Sequence, residues 1–167
     1  MNFITSSNNA MIKEVKSLKR RKYRDEKGLF FIEGLKFVRE ALKENAEITR
    51  IFVSEELAGC PGGRAIMGQI KKIGASAVEP PDINILPVKL FNEISDTGTP
   101  QGILAVIKME NHELKREMQE DGLYAVLESI QDPGNMGTII RTADAAGLSG
   151  VIIFKGCVDV YNPKVLR

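Results

Sequence analysis

Leu123-Tyr-Ala-Val-Leu127, then Asp132-Pro-Gly-Asn-Met-Gly-Thr-Ile-Ile-Arg-Thr-Ala-Asp-Ala-Ala-Gly147, then Val151-Ile-Ile-Phe154 follow one another toward the end of the chain. The outer two are short apolar runs. The middle one repeats Met136, Ile139, Ile140, Ala143 and Ala146 at helical intervals and stops at a glycine. Strand, helix, strand in that order is a βαβ unit, which implies a parallel pair and an α/β fold. Strand-to-helix turns are where such folds build sites, and this turn carries Asn135 and Gly137, with Arg141 one helical turn further on the same flank. Asn135 is placed to cap the helix, Gly137 to leave the backbone open to a ligand, and Arg141 to project its guanidinium over that gap. A guanidinium beside backbone donors at a helix start suits a phosphate or an oxyanion. The same three residues also suit a plain structural role as cap, packing glycine and solvated charge.

The segment after this unit, Asn162-Pro163-Lys-Val-Leu-Arg167, has the N-cap residue and first-turn proline of a helix start. Four or five residues do not sustain a helix alone, and two strands make a poor sheet. Residues 123–167 therefore read as the opening of a domain whose remainder is missing. Residues 108–122 are charged and aperiodic, a linker with one helical turn about Leu114 to Met118. Residues 1–107 alternate strands and helices and make a first small α/β domain. Its strands are expected at Leu29–Ile32, Ile48–Val53 and Ala75–Val78, the last broken by Pro80-Pro81, and at Ile103–Ile107, whose unbroken apolar run suits the centre of a parallel sheet. Helices are expected through Phe37, Val38, Ala41 and Leu42 after a turn at Glu33-Gly34, through Ile66, Ile70 and Ile73 after a Cys60-Pro-Gly-Gly turn, and over Val88–Ile94.

Charge is concentrated near the start. Lys13 to Arg24 carries seven basic residues and one acid, a net +6 within a chain of 167 residues whose total is +1. Met11, Ile12, Val15 and Leu18 repeat as the buried stripe of one helix, and Lys16, Arg20 and Arg24 stack at i, i+4 on another side. Such repulsion is relieved by a phosphate backbone, so the segment points to RNA or DNA.

Several function classes are excluded. The longest apolar runs, Ile103–Ile107 and Val151–Phe154, are far short of the roughly 18 residues a membrane helix needs. The first dozen residues lack a secretory pattern, which points to the cytoplasm and to reduced thiols at Cys60 and Cys157. Glu33, Asp96 and Glu128 are isolated in sequence, so no metal site is expected. His112 has no neighbouring nucleophile to activate. Gly134 and Gly137, even with Asp159 downstream, lack the third glycine of a dinucleotide fingerprint.

The stretch Asp132 to Gly147 resembles the first signature motif, N-x-G-x-x-x-R-x-A, of the SpoU (TrmH-like) class of RNA ribose 2′-O-methyltransferases within the SPOUT superfamily. Arg21 through Gly34 resembles the opening of that family's substrate-binding domain, Ser95-Asp-Thr-Gly-Thr-Pro-Gln-Gly102 its closing motif, and Val158 through Arg167 the stretch after motif one. The resemblance implies an α/β sandwich like ribosomal protein L30e over residues 1–107, which grips RNA, and the opening βαβ part of a Rossmann-like trefoil-knot methyltransferase domain over 123–167. It implies methyl transfer from S-adenosylmethionine to a ribose 2′-hydroxyl in rRNA or tRNA, with Asn135 and Arg141 catalytic and Gly137 shaping the site. In the family the arginine is the residue proposed to activate the hydroxyl. A guanidinium rarely gives up its proton, so binding the neighbouring phosphate and stabilising alkoxide charge is the physically easier role. RNA contacts are expected from Lys16, Arg20, Arg21, Arg24, Glu33 and Gly34. The family's second and third motifs, which hold S-adenosylmethionine, have no counterpart in these residues, so the chain alone is expected to be inactive and not to bind the cofactor. A homodimer or other self-association is expected, and the alternative is a non-catalytic RNA-binding protein that keeps the substrate domain.

Overall fold

The computed structural model describes residues 1–74, 80–110 and 118–167, in two units, Met1–Met109 and Glu110–Arg167. The first runs β1 (Asn2–Phe3), α1 (Ala10–Ser17), α2 (Arg21–Lys27), β2 (Leu29–Glu33), α3 (Leu35–Lys43), β3 (Ile48–Ser54), α4 (Glu55–Gly59), α5 (Pro61–Gly74), β4 (Asp82–Leu86), α6 (Val88–Ile94) and β5 (Ile103–Lys108). Its sheet has the order β1-β4-β3-β5-β2. The strand expected at Ala75–Val78, the side chain of Ile73, His112 and most of the turn about Leu114 to Met118 lie outside the described residues.

β5 explains the architecture. Ile103, Ala105 and Ile107 join Val38, Ile51, Ile66 and Ile70 in one core, while Leu104 and Val106 join Ile12, Leu18, Phe31, Phe52 and Phe91 in a second. Alternate residues of a strand point to opposite faces, so an unbroken apolar strand requires cover on both. That requirement is independent of strand direction, and here the expectation of a parallel centre is corrected. β5 is antiparallel to both neighbours, Val106 lying opposite Phe31 on β2 and Leu104 opposite Phe52 on β3. Parallel pairing is confined to β3 with β4 and β4 with β1.

Two further expectations change. Cys60-Pro-Gly-Gly is not a free turn: Pro61 opens α5 at the first helical position, where its missing N–H costs nothing. The basic segment is not one helix. α1 ends at Ser17, and α2 restarts after Arg20, whose backbone is extended (φ −103°, ψ 130°), so Lys16, Arg20 and Arg24 do not stack.

The second unit consists of β6 (Tyr124–Leu127), α7 (Pro133–Ala145), β7 (Gly150–Ile153) and α8 (Pro163–Leu166). β6 and β7 pair in parallel, from Tyr124 opposite Gly150 to Leu127 opposite Ile153. Leu127, Met136 and Val165 form the core, with Ile139, Ile140 and Val151 packed against it. On the other face Val126 is 60% and Phe154 57% exposed. The one-turn α8 exists despite its length because Asn162 caps it, accepting from Lys164 N at 3.0 Å, and because Val165 is buried. Val165 therefore has cover within these residues.

Candidate functional site

In the second unit the residues singled out by the sequence, Asn135, Gly137 and Arg141, ride on the first nine residues of α7. Asp132, in extended conformation, is the N-cap: its Oδ1 accepts from Asn135 N at 2.7 Å, and Pro133 occupies the first turn. Asn135 is thus not the cap that its type suggested. It sits in the first turn as the capped donor, with an exposed side chain that makes no hydrogen bond among the described residues.

Arg141 is exposed, donates from Nη2 to Thr138 Oγ1 at 3.5 Å, and has no ion pair among the described residues. Its guanidinium lies directly over Gly137: a Cβ there would sit 2.9 Å from Nη1 and 2.7 Å from the Val165 carbonyl oxygen. Only glycine lets α8 and the guanidinium close on α7 from two sides. The result is a held positive charge beside a helix start, suited to a phosphate oxygen or a developing alkoxide.

Two features here were not legible. Ser129, between β6 and α7, has φ +59°, a left-handed conformation that a non-glycine residue adopts at a cost of about 1 kcal/mol or more. It lies against Gly156, whose Cβ would be 3.4 Å from Ser129 Oγ, so the loops after the two strands meet. Burial, then the carboxylates of Glu110 and Asp159, push the Tyr161 phenol above its ordinary value, and it stays a hydrogen-bond donor at neutral pH.

In the first unit the structure joins two stretches far apart in sequence. Glu33 is buried, and Oε1 accepts from Ser95 Oγ and from Thr97 Oγ1, each at 2.5 Å, while Oε2 accepts from Asp96 N at 2.9 Å. Gln101 Oε1 accepts from Leu35 N at 2.9 Å, across Gly34, whose φ of +108° needs a glycine. Glu33 and Gly34 therefore build the 95–102 loop. Glu33 is not placed to touch RNA, because its carboxylate is consumed by three donors.

Three of the seven cations in the basic segment are likewise used internally. Arg24 is 2% exposed and donates from Nη1 to the Leu18 carbonyl at 2.7 Å, where it covers the end of α1. That corrects its assignment as an RNA contact. Lys16 pairs with Glu93 at 2.6 Å, Lys19 binds the Ser95 carbonyl at 2.5 Å, and Glu14 takes both Lys27 and Arg50. Arg21 is exposed and pairs loosely with Asp25 at 3.4 Å. Lys13, Arg20 and Lys22 are exposed.

Comparisons with known proteins bear on both units. Residues 9–105 match the MRM3-like substrate binding domain, and residues 122–167 match the SpoU rRNA Methylase family. The chain is 34% identical over 167 residues to the 23S rRNA (guanosine(2553)-2′-O)-methyltransferase RlmP of Bacillus subtilis, covering all of this chain and 60% of that protein. It is 34% identical over 158 residues to the human mitochondrial rRNA methyltransferase 3, covering 90% of this chain and 34% of that one. A crystal structure of an rRNA methyltransferase from Sinorhizobium meliloti superposes with a TM-score of 0.81 at 30% identity, over 99% of this chain and 59% of that one. The AdoMet-bound form of that protein superposes with a TM-score of 0.80. The chain thus spans about 60% or less of the length of these relatives.

Proposed function

Since the chain belongs to the SpoU rRNA methylase family, we propose that its two units serve S-adenosylmethionine-dependent methyl transfer to a ribose 2′-hydroxyl of RNA, rRNA in the first instance. The observation that carries this reading is the Arg141 guanidinium, exposed, outside any described ion pair and seated over Gly137 at the start of α7. Arg141 acts by charge: it grips the phosphate next to the target ribose and stabilises the 2′-oxygen as that oxygen's proton passes to water. Asn135, six residues earlier in the first turn of α7, offers a free amide to the same ribose.

S-adenosylmethionine supplies the methyl group in this reading. Among the described residues the buried polar side chains, Arg24, Glu33, Ser54, Asn84 and Ser95, all belong to the first unit.

RNA is held by the first unit through the exposed cations Lys13, Arg20, Arg21 and Lys22, by backbone and shape recognition. The bare strip of Val126 and Phe154 supports self-association, as a homodimer. Among the described residues no helix is long and apolar enough to cross a membrane, and the reading places the work in the cytoplasm.

The test is transfer of labelled methyl to rRNA fragments by the protein that carries these two units, with Arg141→Ala beside the parent. Transfer is expected to vanish while RNA and cofactor affinity persist. Unchanged transfer, or loss of cofactor binding alone, would overturn the role given to Arg141.

A further inference from the structure

A cavity of about 300 Å³ opens in the first unit between α4 and α6, and the end of the 95–102 loop closes it. Its walls include Leu57, Val88 and Pro100, and its polar groups are Ser54, Glu56, Cys60, Asn92 and Gln101. No lysine or arginine lines it. That chemistry does not suit a phosphate. It suits a neutral planar group that brings both donors and acceptors, with apolar faces between apolar walls.

The orientation of one wall group is fixed. Gln101 Oε1 is consumed by Leu35 N, and because that partner is a donor, the oxygen and not the nitrogen must lie there. The Nε2 group, with no partner among the described residues, is left as a double donor at the cavity. Glu56, exposed and outside any described hydrogen bond or ion pair, is an acceptor beside it. An acceptor and a fixed donor together match a base edge, where an N–H or an amine stands next to a carbonyl or ring nitrogen. All four bases present such an edge, uracil through N3–H beside O4, whereas ribose and phosphate do not. From this we infer that the cavity takes an unpaired nucleobase of the bound RNA, with Gln101 and Asn92 as base-contacting residues. The inference rests on the RNA reading above and deepens it, because the stitching of Glu33 and Gly34 to the 95–102 loop acquires a purpose: it sets the direction of the Gln101 amide.

The test is an NMR titration of the whole chain with the four nucleoside 5′-monophosphates and with ribose 5-phosphate, followed at the side-chain amides of Asn92 and Gln101. At least one of the four nucleotides should shift both amides, and ribose 5-phosphate should not. Gln101→Glu keeps an acceptor for Leu35 N and removes the donor, and Asn92→Ala truncates an exposed helix residue. Each should weaken binding about fivefold, the worth of one hydrogen bond. No shift up to about 10 mM nucleotide, an equal response to ribose 5-phosphate, or unchanged affinity in both variants would overturn the inference. A labelled oligoribonucleotide titrated in parallel separates the two readings. Retained RNA binding with silent amides overturns the base pocket alone, whereas loss of both overturns RNA binding by this unit as well.

Discussion

The sheet of the first unit is covered on both faces and the sheet of the second on one, although both carry strands of comparable apolar character. In the first, every residue of Ile103–Ile107 is buried. In the second, only Leu127 of β6 is buried, and Val126 next to it faces solvent. Apolar strand composition therefore measures how much cover a strand requires, while the cover it has depends on how many helices pack within reach. Where cover is complete, polar side chains can be buried and put to use, as with Glu33 and Arg24. Where it is not, polar side chains such as Asn135 and Arg141 stay exposed.

The contrast can be broken or sharpened by substitution. The largest effect is expected for Phe52→Ala, which empties a fully buried position in the doubly covered sheet and should cost about 3–5 kcal/mol. Denaturant unfolding read from amides of β3 and β5 measures it, and a cost below that of Leu127→Ala in the second unit would remove the distinction. Next is Glu33→Ala, at about 2–3 kcal/mol, because it strands the Ser95 and Thr97 hydroxyls and the Asp96 N–H. Faster hydrogen exchange confined to residues 95–103 would be its signature. Gly137→Ala should cost about 1–2 kcal/mol by forcing Val165 and Arg141 off α7, seen as lost protection of the α7 amides. Val126→Lys, on the bare face, should change stability by no more than about 0.5 kcal/mol while it abolishes self-association in sedimentation velocity. The smallest effect concerns Glu93. The hydrogen bond from Lys16, and then its charge, hold this exposed carboxyl below its ordinary value. The pair accordingly favours the folded state above the usual carboxylate range and ceases to do so as pH falls through the lowered value. Lys16→Met should return the Glu93 titration, followed by carbon NMR, to the ordinary range with little change in melting temperature.

Periodicity made much of the fold legible: α3, α7, β3, β5 and the βαβ order all follow from spacing, and so does the seat of Arg141. The rest was hidden for identifiable reasons. Leu18-Lys-Arg20 contains neither glycine nor proline, so nothing marked the break between α1 and α2. A run of cations reads as surface, yet Arg24 is turned inward by a carbonyl six residues earlier in the chain. β4 was missed because Asn84 interrupts its apolar run, and that residue is fully buried with Oδ1 unpartnered among the described atoms. Asn135 has the chemistry of a cap, but Asp132, one residue before the proline, holds the position. The role of Glu33 could not be read locally, since the hydroxyls that define it lie 62 and 64 residues away.

That separation also governs when the loop can form. A contact across so long a stretch of chain carries a loop-closure cost that is met only after the intervening elements have found their places. β2 and the 95–102 loop are brought together by β5, the last strand of the first unit, so the Glu33 carboxylate finds its three donors only once that strand has paired. The Gln101 amide is thus among the last features to be set as the chain folds, and its resonance reports that the whole sheet is complete.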